Sequence, residues 1–313
     1  MTQPLIIAHR GACGYLPEHS RGAKALACGM GADYLEQDVI ATRDGELVVL
    51  HDLYLDAVSD VRDRYPGRER ADGRSYCLDF DLAELRSLRF HERVDLDTGR
   101  ARYPGRYPPD VGKFSVCTLA EEIAFARAMN RSTGRDIGIY PEIKNPEWHL
   151  EHGFDLGAAV VDELEHTGYL EPGSKIFLQC FDPQTLRAVR ARVGPDLPMI
   201  QLLSSSTEMS DRLVANVAEY ATGIGPSLKL IYRGKDPRGA PQLTNLVTDA
   251  RAHGLVVHPY TLRSDDLPEG IESFAELLDI CVDRLRVDAV FTDFTDQVSR
   301  YLRAWPAGQS RPQ

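Results

Sequence analysis

Two histidines, one arginine and two carboxylates crowd the start of this 313-residue chain, in His9-Arg10-Gly11, Glu36-Gln37-Asp38 and His51-Asp52. Imidazole exchanges protons near neutral pH. Carboxylates two residues apart on a strand point to one face and can share a hard cation. A guanidinium grips phosphoryl oxygens with a planar fork of N–H donors. Together these groups predict metal-assisted cleavage of a phosphodiester. A third carboxylate and a lysine, in Tyr140-Pro141-Glu142-Ile143-Lys144, repeat the same chemistry much later in the chain.

Such side chains act together only if the backbone brings them to one place. Leu5-Ile6-Ile7-Ala8 reads as a short strand that ends on His9 and Arg10. Tyr34 to Ile40 is a second strand, and Asp44-Gly45 turns the chain into a hairpin-like return over Glu46 to Leu50 that delivers His51. Ile137 to Ile143 is the next long strand and ends on Glu142. Further strands are expected at Lys175 to Gln179, Met199 to Leu203, Gly223 to Gly225, Leu255 to Tyr260 and Ala289 to Thr292. Helical stretches separate them at His19 to Gly29, Leu156 to His166, Asp211 to Tyr220, Leu243 to His253, Ser273 to Leu285 and Gln297 to Ala304. Another, Pro183 to Val193, has Asp182 as its cap.

The count comes to about eight βα units, the number that closes a parallel barrel. A TIM (β/α)8 barrel spanning residues 1–313 is therefore expected. An open doubly wound sheet is the alternative, but no strand-linked G-x-G-x-x-G supports a nucleotide-binding version of it. In a barrel, the C-terminal strand ends face the site. His9, Arg10, Glu36, Asp38, His51 and Glu142 then converge from consecutive elements.

Residues 54–113 break the rhythm, with only Leu82 to Leu88 reading as clearly helical. Eleven arginines and one lysine there are offset by twelve acidic residues, so the segment is not a basic arm. A structureless loop of that size is improbable inside a compact domain. The segment reads as an inserted subdomain placed to cover the barrel mouth, against the alternative of a passive surface excursion.

Composition narrows the partners. A net charge of −11 argues against nucleic acid, which would be repelled without a local basic stripe. The six cysteines are scattered, with no C-x-x-C or Cys/His cluster, so buried free thiols are expected rather than a zinc site or disulfide framework. No stretch approaches a membrane span, and the N-terminus lacks a signal-peptide pattern. The location expected is cytoplasmic for the chain as given, and periplasmic or secreted if a signal was trimmed. There is no G-x-S-x-G elbow, P-loop or H-E-x-x-H.

Glu36, Asp38 and Glu142 supply three hard oxygen donors, which suits Ca²⁺ or Mg²⁺. The competing reading is a salt-bridge set with Arg10 and Lys144, since buried carboxylates need either a cation or basic partners. His9 and His51 suit a general base and a general acid across one phosphorus atom. His91, His149, His152, His166 and His253 read as structural or surface residues. His258, in Val257-His258-Pro259-Tyr260, ends a strand and is a candidate for the pocket wall.

These pieces, with Pro17-Glu18-His19-Ser20, Gln179-Cys180-Phe181-Asp182 and Phe291-Thr292-Asp293-Phe294, closely resemble the glycerophosphodiester phosphodiesterases over nearly the whole chain. The insertion after the second strand resembles the branch with the bacterial periplasmic enzyme. The resemblance implies a TIM barrel that uses one divalent cation, Ca²⁺ or Mg²⁺. The implied reaction hydrolyses small glycerophosphodiesters, such as glycerophosphocholine and glycerophosphoethanolamine, to sn-glycerol 3-phosphate and the free alcohol. By that resemblance His9 and His51 are the acid/base pair, Glu36, Asp38 and Glu142 the metal ligands, and Arg10 and Lys144 the phosphate contacts. Gln179, Phe181, His258 and Tyr260 would form the substrate side of the mouth. The family's usual Glu-Asn-Thr reads Glu18-His19-Ser20 here, a departure expected to touch no ligand. A cyclic phosphate and direct attack by water are both open routes. A lysophospholipase D-like enzyme and a catalytically silent phosphodiester-binding barrel are the alternative functions.

Overall fold

In the computed structural model of the protein, residues 3–210 and 212–304 are described. Eight parallel strands run in the order expected of a barrel. They are β1 (Leu5–Ala8), β2 (Tyr34–Ala41), β4 (Gly138–Ile143), β5 (Leu178–Cys180), β6 (Met199–Leu203), β7 (Gly223–Pro226), β10 (Val256–Val257) and β11 (Ala289–Thr292). β3 (Leu47–Val49) returns antiparallel to β2, as its Asp44-Gly45 turn demands. β8 (Tyr232–Lys235) and β9 (Pro241–Leu243) form a separate hairpin on the rim, which the sequence pattern did not signal. The barrel closes between β10 and β11 through three backbone bonds. Asp288 N–H donates to Val257 O, Phe291 N–H to Pro259 O and Leu262 N–H to Phe291 O.

The strands read as continuous apolar runs because helices cover them outside and side chains fill them inside. β2 is buried along all eight residues, so Glu36 and Asp38 on it are buried charges. Below the mouth the interior is aromatic. Tyr140 stacks on Phe177 at 5.2 Å and meets Phe291 edge-on at 5.0 Å. Gly138 opens β4 because the Tyr34 ring crosses it. A Cβ there would lie 2.3 Å from Tyr34 Cε1.

Local signals explain the helices. Ser20 caps Arg21–Met30 by accepting from Ala23 N–H, and Asp182 caps Pro183–Val193 by accepting from Thr185 N–H. The reading from Asp211 begins on a residue outside the described ones, and the helix observed there is Leu213–Ala218. The helix expected over Ser273 to Leu285 is regular only for Phe274–Leu278. It then opens into wide turns over Asp279–Arg284. Leu119–Thr133, which the periodicity did not single out, is held by a capping box of Thr118 and Glu121.

Residues 54–113 carry two short helices, Val61–Arg64 and Leu82–Ser87, and a 3₁₀ turn at Cys77–Asp79. Leu55, Val58, Val61, Phe80, Leu85, Leu88 and Phe90 form a small apolar core that continues onto Ile40, Val48 and Leu50 of the β2–β3 hairpin. The Arg- and Asp-rich wording resolves into ion pairs around that core, among them Arg62–Asp56, Arg68–Glu84 and Arg70–Asp79. Apart from the buried Asp56, these groups are partly exposed and the pairs contribute little each, so the apolar core supplies most of the cohesion. All six cysteines are buried and unpaired. Among the described residues no helix is long and apolar enough to cross a membrane.

Candidate active site

Parallel pairing of β1 with β11 aligns Ala8 with Thr292, so the residues that follow, His9 and Asp293, emerge side by side. His9 Nδ1 lies 2.7 Å from Asp293 Oδ1. A carboxylate on Nδ1 fixes the tautomer that donates there and leaves Nε2 as the proton-exchanging nitrogen. Burial lowers the His9 pKa to about 4, assisted by the charge of Arg10 and opposed by Asp293. His9 is therefore neutral at pH 7, the state a general base requires.

The register of β2 with β4 places Asp38 directly opposite Glu142, and Glu36 two residues back on the same face. Three carboxylates are thus packed together by strand geometry alone. Burial and the Asp38 charge hold the Glu36 carboxyl well above the usual range. Glu142 is pushed up to about 7 by burial, against Lys144 and with the help of Asp38. At Asp38 burial acts in the same upward direction, but Lys144, His51 and the His19 hydrogen bond outweigh it and hold the carboxyl low. A cluster in which two of three carboxyls resist ionisation is short of positive charge.

The polar atoms facing the cluster point the same way. Gln179 Oε1 is buried without a hydrogen-bond partner. Asp38 Oδ1 is likewise without a hydrogen-bond partner, 3.6 Å from the Lys144 ammonium, which lies 2.8 Å from Glu142 Oε1. Carboxylate and amide oxygens around a charge-deficient centre fit a hard divalent cation. His19, Glu36 and Asp38 also place donor atoms within 4.8 Å of one another. His19 Nε2 is already hydrogen-bonded to Asp38 Oδ2 at 2.8 Å, which makes it a support for Asp38.

The salt-bridge reading holds in part as well. Arg10 Nε lies 3.3 Å from Asp38 Oδ2, Arg10 Nη1 donates to Glu18 at 2.9 Å, and the Arg10 backbone N–H donates to Glu36 Oε2 at 2.6 Å. Arg10 and His19 both take positive φ, 56° each, a backbone state that non-glycine residues adopt at a cost. The His19-Ser20 departure therefore does reach one expected ligand, because His19 orients Asp38, which corrects the expectation that it touches none. Glu18, which keeps the family's residue, orients the phosphate contact Arg10.

His51 follows β3 on the opposite side. Its Nδ1 lies 2.6 Å from Asp52 Oδ1, and Asp52 Oδ2 accepts from Arg93 at 2.5 Å. Burial, Arg10 and Lys144 lower the His51 pKa to about 4. Burial would raise Asp52, but its bond to His51 and the Arg93 charge hold it at about 2.

His9, Arg10, Glu36, Asp38, His51, Glu142, Lys144, Gln179, Phe181 and Tyr260 line one cavity of about 590 Å³. Phe181 stands at its edge, 40% exposed. His258 is absent from that lining. It is 1% exposed and hydrogen-bonds Tyr140 Oη at 2.8 Å within the aromatic floor. It follows β10 as expected, but its side chain faces the barrel interior below the mouth rather than the pocket wall. A second cavity, about 740 Å³, shares His51, Glu142, Lys144 and Phe181 and extends to Tyr54 and Trp148.

Sequence reasoning passed over Asp293, Asp52, Arg93, Arg106 and Arg263. Asp52 was readable from its place beside His51, and Asp293 from its place after the last strand. Nothing in the sequence singled out Arg93 or Arg106 among eleven arginines.

A model of the "Glycerophosphoryl diester phosphodiesterase family" matches residues 9–297. A glycerophosphodiester phosphodiesterase of Haemophilus influenzae is 36% identical, covering 96% of this chain and 90% of its own length. One from Treponema pallidum is 31% identical, covering 96% and 92%. An Oleispira antarctica phosphodiesterase, solved in complex with the product sn-glycerol-3-phosphate, shares the fold at a TM-score of 0.66 and 21% identity. That match covers 96% of this chain and 97% of the other.

Proposed function

The chain belongs to the glycerophosphoryl diester phosphodiesterase family, and on that premise we propose that it splits glycerophosphocholine, glycerophosphoethanolamine and similar diesters by paired-histidine catalysis with a divalent cation. The observation that supports this most directly is two imidazoles on one cavity, each anchored through Nδ1 to a carboxylate, with cationic side chains and oxygen donors between them.

His9 Nε2 takes the proton from the attacking hydroxyl. His51 Nε2 gives a proton to the departing alcohol oxygen as its bond to phosphorus breaks. Arg10 and Lys144 sit where they can bind phosphoryl oxygens. The negative charge of a bound diester opposes their effect on His51, raising its pKa toward the protonated state that an acid needs. Held by Glu36, Asp38 and Glu142, Ca²⁺ or Mg²⁺ would supply charge neutralisation and Lewis acidity to the phosphoryl group.

The attacking hydroxyl is the neighbouring glycerol hydroxyl in our reading, which would give a cyclic phosphate that water then opens with the histidine roles reversed. Such a route would make the reaction indifferent to the leaving alcohol. Trapping the cyclic phosphate in a quenched reaction supports it, and full activity on a diester lacking that hydroxyl would sink it. The whole assignment is tested by release of glycerol 3-phosphate from glycerophosphocholine with and without a chelator. Undiminished turnover in chelator would remove the cation from the mechanism.

A further inference from the structure

Each histidine–carboxylate pair has an arginine behind it, and both arginines come from residues 54–113 rather than from the barrel. Asp52 presents Oδ1 to His51 and Oδ2 to Arg93. Asp293 presents Oδ1 to His9, and its Oδ2 accepts from Arg106 at 2.7 Å and Arg263 at 2.6 Å. The two arrangements differ in redundancy. Asp293 has a barrel arginine as well, whereas among the described residues Asp52 is bonded by no cation other than Arg93 and its own histidine.

Arg93 also forks onto Glu18, with Nε at 3.1 Å and Nη2 at 2.7 Å, and Glu18 in turn accepts from Arg10. The Arg93 side chain is only 18% exposed, and its two carboxylate partners are 14% and 12% exposed. A guanidinium imposes direction on the carboxylates it bridges, because its donors lie in one rigid plane. Turning Asp52 would turn the imidazole bonded to it.

We propose that Arg93 is a positioning residue that acts through Asp52 to keep His51 aimed at the leaving-group oxygen. The inference rests on the acid–base reading above. In the step concerned, the phosphorus–oxygen bond to the alcohol breaks, and the proton on His51 Nε2 passes to that oxygen. Asp52 and Arg93 keep their charges throughout. An alkoxide such as that of choline leaves slowly without the proton. A p-nitrophenolate leaves without it.

The experiment compares kcat on glycerophosphocholine with kcat on the p-nitrophenyl ester of glycerol 3-phosphate, both at saturating divalent cation. Arg93→Gln should lose at least ~10-fold more on the choline diester than on the nitrophenyl ester, whose smaller loss reads the loosening of Glu18 and Arg10 common to both substrates. Arg93→Lys should recover part of the loss, since it restores charge without the fork. Arg106→Gln should lose less than Arg93→Gln, because Arg263 still holds Asp293. Arg102→Gln, on an exposed arginine of the same segment, should match the parent. The ratio of two rates on one preparation is independent of the folded fraction, so partial misfolding does not imitate the effect. Equal losses on both substrates, or full choline-diester activity in Arg93→Gln, would overturn the proposal. His51→Ala, run alongside, separates the causes. If it too fails to discriminate between the leaving groups, the acid assignment falls and the proposal with it. If it discriminates and Arg93→Gln does not, only the role of Arg93 falls.

Discussion

The His9 and His51 corners contain the same hardware, an imidazole bonded through Nδ1 to a carboxylate that is held by arginine, yet they are built differently. The His9 corner is closed. Asp293 is 1% exposed and meets His9, Arg106 and Arg263, while His9 packs edge-on against Phe291. The His51 corner is more open. The His51 side chain is 31% exposed, stands between two cavities, and depends on a carboxylate with one arginine behind it. A buried pair keeps its geometry through packing. A rim pair has fewer neighbours and relies on directed hydrogen bonds. The difference suits the proposed roles, because the leaving alcohol must enter and depart past His51, whereas the glycerol hydroxyl stays within reach of His9.

The sharpest way to break this comparison is to remove each imidazole. His9→Ala and His51→Ala should each reduce turnover of glycerophosphocholine by roughly 10²–10⁴-fold. Only His51→Ala should spare the nitrophenyl ester, and the same pattern in both variants would erase the distinction between the corners. Next in size is Asp293→Asn, which leaves two arginines without their shared buried charge. A loss of ~3–5 kcal/mol is expected in urea unfolding, whereas Asp52→Asn at the open corner should cost no more than ~1–2 kcal/mol. Equal losses would mean that the corners are equally buried in solution.

The proposed cation between the two corners gives a third test. Glu36→Gln should lower the bound metal measured on the folded protein. Divalent cation added to the parent near pH 7 should release protons, because Glu36 and Glu142 are held in their protonated direction. Unchanged metal content in Glu36→Gln would remove it from the ligand set.

The smallest effect is in acid stability. With His9 and His51 near 4 in the folded protein and about 6.5 unfolded, the unfolded chain binds more protons between those values. The stability contributed by the two neutral imidazoles should therefore fall as pH drops from about 6.5 to about 4, while Glu36 and Glu142, held upward, act in the opposite direction. His9→Gln and His51→Gln should each flatten that slope. Asp52, held at about 2, acts in a lower window. Its stabilisation is complete above about pH 4 and is lost as pH falls through 2. The same pH dependence in the parent and in both glutamine variants would contradict the neutral state assigned to the histidines.

Much of the barrel and one corner of its mouth are legible in the chain. Apolar runs at the right spacing mark the strands. Glu36 and Asp38 share a face because strand side chains alternate, and the His51–Asp52 contact joins adjacent residues. The short rim hairpin of β8 and β9 was hidden, since runs of three or four mixed residues carry no period. His258 shows the limit of the strand-end rule. A residue that leaves a strand can still turn inward, and only the space left by Tyr140 and Phe177 decides it.

By itself, the sequence determined the chemistry available and the local elements that carry it: two imidazoles, three carboxylates, an arginine and a lysine, each at the end of a strand or on it. Tertiary structure alone decided which groups complete one another. His9 finds Asp293 across 284 residues because β1 and β11 close the barrel. Arg93 and Arg106 are chosen from many arginines because the small core of residues 54–113 docks on the β2–β3 hairpin. Spacing along the chain encodes which face a side chain takes. It does not encode which distant face will be brought opposite, because that depends on how the whole set of strands and helices packs.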